Sequence, residues 1–198
     1  MILNNLENIF QIDFKAILFE LSSPIKFNRS KEQNFFSALK TINQYHDLSG
    51  IIMDGVLRSI SEPEIGNNKC VIYRGQRLSE RLIRHGYYAS QIIQNTQFLE
   101  NSNKVFLDLG GGFGSLSRIL LNINKSSKCI IIEQPEISLI AAYYMKKNFP
   151  KKKIFTYFDY KNLKNKSQFF DNKDFDILIL PSWCFSEIPN DYLDLTVN

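Results

Sequence analysis

With 198 residues the chain has room for one domain, or for a domain with an extension. A hydrophobic content of 44% is that of a globular protein, and a net charge of +4 is too mild to require a nucleic-acid partner. Three scattered cysteines (Cys70, Cys129, Cys184) and two histidines (His46, His85) exclude a disulfide framework, a Cys-x-x-Cys metal site and a multi-histidine site.

In chain order, residues 2–21 place Leu3, Leu6, Phe10, Phe14, Ile17 and Leu21 at steps of three and four, one helical stripe, which Ser22-Ser23-Pro24 ends. A second helix is predicted over Lys31 to Tyr45, with Phe35, Leu39 and Ile42 inward. A turn-rich loop over 62–68 precedes a short strand at Cys70 to Tyr73, and Ser79 to Phe98 reads as a long helix with Ser79 as its N-cap. Residues 1–100 thus form a mainly helical N-terminal region.

From Lys104 the rhythm changes. Strands are predicted at 104–109, 128–133, 153–158 and 175–180, with helices near 114–123, 136–148 and 160–170. That alternation implies an α/β domain over 101–198 built on a parallel sheet with crossover helices. Four such strands leave one edge of a buried sheet open.

Between the first strand and its helix lies Leu107-Asp108-Leu109-Gly110-Gly111-Gly112-Phe113-Gly114, an acid followed by glycines at Gly110, Gly112 and Gly114. Glycine permits positive φ and carries no Cβ, so a ligand can lie against bare backbone near a helix N-terminus. The dinucleotide fingerprint Gly-x-Gly-x-x-Gly would need glycine at Ser115 or Ser117, which makes NAD or FAD the weaker reading. The absence of a following Gly-Lys-Ser/Thr excludes a nucleotide P-loop. The second strand, Cys129-Ile130-Ile131-Ile132-Glu133, also ends in an acid, 19 residues beyond Gly114. In nucleotide-binding α/β folds an acid about 20 residues past the loop accepts hydrogen bonds from ribose hydroxyls.

Further candidates sit at later strand ends. Asp159 follows the third strand, and Glu187, with Ser186 beside it, follows the fourth in the segment Pro181-Ser182-Trp183-Cys184-Phe185-Ser186-Glu187. Ligands of open α/β sheets bind beyond the carboxyl ends of strands. Glu187 is therefore the candidate general base for taking a hydroxyl proton. Arg74, Arg77, Arg81 and Arg84, the last three at helical spacing, form a basic cluster able to take phosphate or a carboxylated sugar, or to be a solvated helix face.

The order acid-x-Gly-x-Gly-x-Gly, together with the acid ending the second strand, resembles class I S-adenosylmethionine-dependent methyltransferases, and residues 104–187 carry the likeness. A narrower resemblance is to the sugar O-methyltransferases of bacterial surface-polysaccharide gene clusters. It rests on Leu107 to Gly114, Glu133-Gln134-Pro135-Glu136, Ala141-Ala142-Tyr143-Tyr144 and Ser182 to Glu187. The resemblance implies a Rossmann-like methyltransferase fold of seven strands, whose C-terminal strands are then missing here. It implies S-adenosyl-L-methionine as cofactor, with Gly110, Gly112 and Gly114 cradling its methionine end, Asp108 beneath the loop, Glu133 on the ribose and Asp159 on the adenine amino group. Some sugar methyltransferases use a divalent metal, but no ligand cluster in this sequence is clear enough to assign one. Base-methylating enzymes carry Asn/Asp-Pro-Pro-Tyr/Phe after the fourth strand, whereas Leu180-Pro181-Ser182-Trp183 stands here. Plant small-molecule O-methyltransferases share the Acid-x-Pro element but usually place a histidine base after the fourth strand, and none is present.

The expected activity is O-methylation of a sugar or nucleotide-sugar hydroxyl in surface-polysaccharide biosynthesis. The rival expectations are O-methylation of another small molecule or RNA, an NAD-binding oxidoreductase, and a truncated, non-catalytic cofactor-binding or interaction fragment. A homo-oligomer or a complementing chain is the expected protein partner. No apolar run approaches the ~20 residues of a membrane span, and early acids (Glu7, Asp13) stand where a basic leader would. The expected location is the cytoplasm.

Overall fold

The computed structural model describes residues 29–49, 54–65, 70–100, 103–172 and 174–197. The apolar stripe predicted over 2–21 lies outside them. The chain divides into two compact units, Met1–Tyr87 and Tyr88–Asn198.

In the first unit, helix α1 (Arg29–Ser49) is longer at both ends than predicted, and a short α2 (Asp54–Ser59) follows. The strand expected at Cys70 to Tyr73 is β1 (Val71–Tyr73), and it pairs antiparallel with an unpredicted β2 (Gln76–Leu78). Arg74 and Gly75 connect them, both at positive φ (49° and 76°), as a two-residue type I′ hairpin requires. Tyr45 of α1 meets Tyr73 edge-on with ring centroids 5.5 Å apart, and the Tyr73 hydroxyl lies 2.7 Å from His46 Nε2. Helix α3 (Glu80–Asn95) starts where expected. Ser79 caps it, its Oγ accepting the Leu82 N–H at 3.1 Å.

The second unit is an α/β body. Its strands are β3 (Val105–Leu109), β4 (Lys128–Glu133), β5 (Ile154–Thr156), β6 (Ile177–Pro181) and β7 (Leu195–Val197). Helices α4 (Ser115–Ile123), α5 (Pro135–Asn148), α6 (Tyr157–Lys161) and α7 (Lys166–Asp171) alternate with them. All four strand pairs are parallel, so the predicted α/β class and parallel sheet are observed.

Two features depart from the prediction. The helix expected over 160–170 is two short helices. Thr156 ends β5 early by capping α6, and the Asn165 side chain caps α7 by accepting the Gln168 N–H at 3.0 Å. The edge left open by four strands is partly covered, because β7 pairs with β3.

Strand order is β5-β6-β4-β3-β7. In the standard doubly wound order 3-2-1-4-5-6 the fourth strand lies beside the first. Here the fourth parallel strand, β6, sits between the second and the third.

Alternation along the strands gives the sheet two buried faces. Val105, Leu107, Ile130, Ile132, Leu178 and Leu180 join Tyr160, Phe169, Phe170 and Phe175 in one apolar cluster. Asp108, Cys129, Ile131 and Glu133 point the other way. On that side Ser117 of α4 bonds Asp108 and Cys129, and Met145 of α5 and Ile131 lie against Gly114.

Asp194 ties β7 to the sheet. Its Oδ2 accepts the Val105 N–H at 2.8 Å, its own N–H donates to Val105 O at 2.9 Å, and Lys104 Nζ lies 3.2 Å from Oδ1. Replacing Asp194 with alanine strands the Val105 N–H, a loss of about 1–3 kcal/mol. Urea unfolding together with faster hydrogen exchange at the Val105 amide is the expected outcome. Unchanged exchange there would show that β7 does not depend on this carboxylate.

Candidate functional site

Because every pairing in the sheet is parallel, the carboxyl ends of β3, β4, β5 and β6 share one edge. The glycine-rich turn leaves β3 at this edge and enters α4. Gly110, Gly112 and Gly114 have φ of 73°, 56° and 90°. The Gly110 N–H donates to Ile132 O at 2.9 Å, continuing the β3–β4 ladder one residue past the strand. Gly114 is closely packed, since a Cβ there would lie 3.1 Å from both Ile131 Cδ1 and Met145 Sδ. Gly112 faces open space, with nothing within 4 Å of where a Cβ would stand. The turn thus presents bare backbone at one residue and is anchored on both sides of it.

Asp108 lies beneath the turn and is 4% exposed. Its Oδ2 accepts the Ser117 hydroxyl at 2.5 Å, and Ser117 Oγ in turn accepts the Cys129 thiol at 3.2 Å. Burial pushes the Asp108 carboxyl above its ordinary value, and the nearby Glu133 carboxylate adds to the rise, while hydrogen bonds from Ser117 oppose it. Desolvation also raises the Cys129 thiol well above the ordinary thiol range, with the Asp108 charge adding to the rise, so it is no nucleophile.

Glu133, at the end of β4, reaches the turn. Its Oε2 accepts the Gly112 N–H at 2.8 Å and its Oε1 the Gln134 N–H at 2.7 Å. A carboxylate has about four acceptor positions, so two remain for hydroxyl donors. The structure therefore brings Asp108, the three glycines and Glu133 into one constellation around an open backbone face.

Asp159 and Glu187 lie elsewhere along the same edge. Asp159 follows β5, which is separated from β4 by β6, a lateral offset of about 10 Å. Its Oδ2 accepts both the Thr156 N–H and the Thr156 hydroxyl at 2.8 Å, closing the capping box of α6. The Thr156 N–H is the main reason its carboxyl is held below the ordinary value.

Glu187 ends the 3₁₀ turn Ser182–Glu187 after β6. It pairs with Lys166 and accepts the Tyr160 hydroxyl at 3.2 Å. The hydrogen bond from Lys166 holds its carboxyl below the ordinary value, so in this arrangement it is a weaker base than a free glutamate. The indole of Trp183, 57% exposed, stands edge-on to Tyr157 with ring centroids 5.8 Å apart on this part of the edge.

Sequence reasoning missed two participants. A Cβ on Gly111 would lie 2.7 Å from Asp108 Cγ and 2.8 Å from its Oδ2, so glycine is required there by space. Ser117 is the hydrogen-bond partner of the buried acid. The sequence signal for Ser117 is its place two residues into α4, where its side chain turns back to the sheet beneath the glycine turn. No signal marks Gly111, which is the unspecified residue of the acid-x-Gly-x-Gly pattern.

Among the described residues no group of three or more His, Cys, Asp or Glu side chains is placed to hold a metal ion. Among them, too, no helix is long and apolar enough to cross a membrane.

No known family profile matches the chain, and no curated protein matches it. Among solved structures it is similar to a candidate protein-L-isoaspartate O-methyltransferase from Plasmodium falciparum, in complex with S-adenosyl-L-homocysteine. The identity is 15% and the TM-score 0.42, over 77% of this chain and 66% of that one. A second likeness is to the mitomycin 7-O-methyltransferase MmcR, at 17% identity and a TM-score of 0.29, over 55% of this chain and 27% of that one.

Two outcomes test the geometry of the turn. Gly111→Ala forces a carbon against Asp108 and costs about 1–3 kcal/mol or more. Gly112→Ala meets no atom, and its penalty is the left-handed backbone alone, about 1–2 kcal/mol. Equal losses on chemical denaturation would show that the contact with Asp108 relaxes freely.

The second outcome is a pH dependence. A carboxyl whose folded-state value is raised binds its proton more tightly in the folded chain, so its contribution to stability falls as pH rises from about 4 through the raised value. In Asp108→Asn that fall disappears, and the unfolding free energy declines less between about pH 4 and about pH 7 than in the native chain. Parallel profiles would exclude Asp108 as the group responsible.

Proposed function

We propose that this chain binds S-adenosyl-L-methionine and transfers its methyl group to a hydroxyl oxygen, with a sugar as the acceptor. The observation that carries the reading is the Glu133 carboxylate seated on the Gly112 N–H beside an open, Cβ-free backbone face. That arrangement fits a nucleoside whose ribose hydroxyls donate to an acid at the second strand end and whose charged tail lies against glycine backbone. Glu133 keeps two acceptor positions for those hydroxyls. Gly110, Gly112 and Gly114 would take the methionine end, with Asp108 holding the turn from below, and Asp159 would serve the adenine amino group.

When bound, the cofactor supplies a methyl group on a sulfonium centre. The residues of this chain contribute mainly positioning, an effect able to lower a barrier by ~7–11 kcal/mol in well-aligned cases. Glu187 is the proposed acceptor of the hydroxyl proton. In the present arrangement Lys166 and Tyr160 occupy it, so a sugar hydroxyl must displace one of them to reach Oε2. That engagement favours a second reading, in which the chain binds the cofactor and relies on another chain for the proton acceptor. The sugar itself is inferred from the resemblance of Leu107 to Gly114, Glu133 to Glu136 and Ser182 to Glu187 to polysaccharide-cluster methyltransferases.

Calorimetry with S-adenosylhomocysteine tests the cofactor. The native chain is expected to bind, and Glu133→Ala to bind at least about tenfold more weakly, ~1.4 kcal/mol. No binding by a folded native chain would overturn the reading, and equal binding by the variant would remove Glu133 from the site.

A further inference from the structure

The arginine cluster of the first unit is not used by the proposed methyl transfer. Among the described residues, a cleft of about 670 Å³ in this unit is lined by Ser37 and Thr41 of α1, Cys70 and Val71 beside the hairpin, and Ser79, Glu80, Arg81 and Arg84 at the start of α3. That volume lies within the range of small-molecule sites, about 300–1,000 Å³.

The cationic side of the cleft is built from below. The Glu62 side chain is fully buried, and its Oε1 accepts the Ser79 hydroxyl at 2.6 Å and faces Arg81 Nη2 at 3.4 Å. A buried acid paired in this way fixes Arg81 at the N-terminal turn of α3. Arg84 follows three residues later on the same helix face. The other acid of the lining, Glu80, is paired with Lys40 at 2.6 Å. Both carboxylates near the cleft therefore have cationic partners, and Arg84, exposed one helical turn from Glu80 and acting on the same carboxylate, leaves three cations, Lys40, Arg81 and Arg84, against the two acids. The N-terminal end of α3, sixteen residues long, adds partial positive charge on the same side. Ser37 and Thr41 of α1 add further polar residues to the lining.

We propose that this cleft binds the phosphate group of a small phosphorylated ligand. Two guanidinium forks one helical turn apart can meet several oxygens of a tetrahedral phosphate, more than the two coplanar oxygens of a carboxylate offer. The Thr41 hydroxyl, which donates to Ser37 O at 2.9 Å, fixes the α1 wall. The cleft volume leaves room for a sugar or nucleoside joined to that phosphate. All of these residues belong to the first unit, so the phosphate site does not depend on the methyltransferase reading.

The test is calorimetry of the full chain with glucose 1-phosphate, with glucose and malonate as neutral and carboxylate controls. The native chain is expected to bind glucose 1-phosphate and not glucose, with affinity falling as salt is added. Arg84→Ala is expected to weaken it about tenfold or more, and Arg84→Lys, which keeps the charge but not the fork, to fall between the two. Arg84 is exposed, so both variants should keep the native circular dichroism, and their S-adenosylhomocysteine affinity should equal that of the native chain. Failure of the folded native chain to bind glucose 1-phosphate, equal binding by Arg84→Ala, or binding of malonate as tightly as the phosphate would each overturn the proposal. S-adenosylhomocysteine binding in the same samples keeps that failure distinct from failure of the cofactor reading.

Discussion

The carboxyl edge of the sheet depends on one buried carboxylate. Asp108 ends a fully buried strand segment, forms no ion pair among the described residues, and is almost wholly shielded from water. Its stability there rests on the Ser117 hydroxyl and on the absence of any side chain at Gly111, where a Cβ would lie 2.7 Å from the Asp108 Cγ. Because α4 carries Ser117, the same hydrogen bond sets how that helix meets the sheet. The turn between them is consequently short, closed at Gly110 by the Ile132 carbonyl and at Gly114 by Ile131 and Met145. The Gly112 stretch remains open, and Glu133 reaches it from the neighbouring strand. A polar ligand face is thereby assembled from backbone amides and one acid, on a base held by the cost of leaving Asp108 unsatisfied.

Strand order then separates the other acids from this face. With β6 inserted between β4 and β5, Asp159 stands two strands away from Glu133 and works as a helix-capping residue. Glu187, on the loop after β6, turns toward α6 and α7, where Tyr160 and Lys166 engage it. The edge therefore has two regions. One is a glycine-and-acid constellation with spare acceptor capacity. The other is an aromatic region with Tyr157 and Trp183, whose acids already have partners.

Much of this was legible in the sequence, for identifiable reasons. Uninterrupted apolar runs such as Cys129 to Ile132 have no other place than a buried parallel strand, so β3, β4 and β6 were readable to within two residues. Ser79 as an N-cap followed from a hydroxyl ahead of a helical pattern, and the Leu82 N–H three residues on donates to its Oγ. The short elements were not readable. β2 and β7 have three residues each, too few to show a period, and β7 exists because Asp194 and the free edge of β3 hold it. The break between α6 and α7 came from local competition, with Thr156 and Asn165 capping separate helices where one had been expected.

The sequence by itself determined the class of the second unit and the chemistry available at its edge. Hydrophobic runs, glycine placement and acids at strand ends are local properties, and local sterics and solvation act on them directly. Tertiary structure alone decided strand order, and with it which acids share a face. It decided that Gly111 matters as much as its neighbours, that Ser117 shields Asp108, and that Asp159 and Glu187 are already engaged. Those outcomes depend on contacts between residues far apart in the chain, and a pattern read along one strand carries no information about which neighbour that strand acquires.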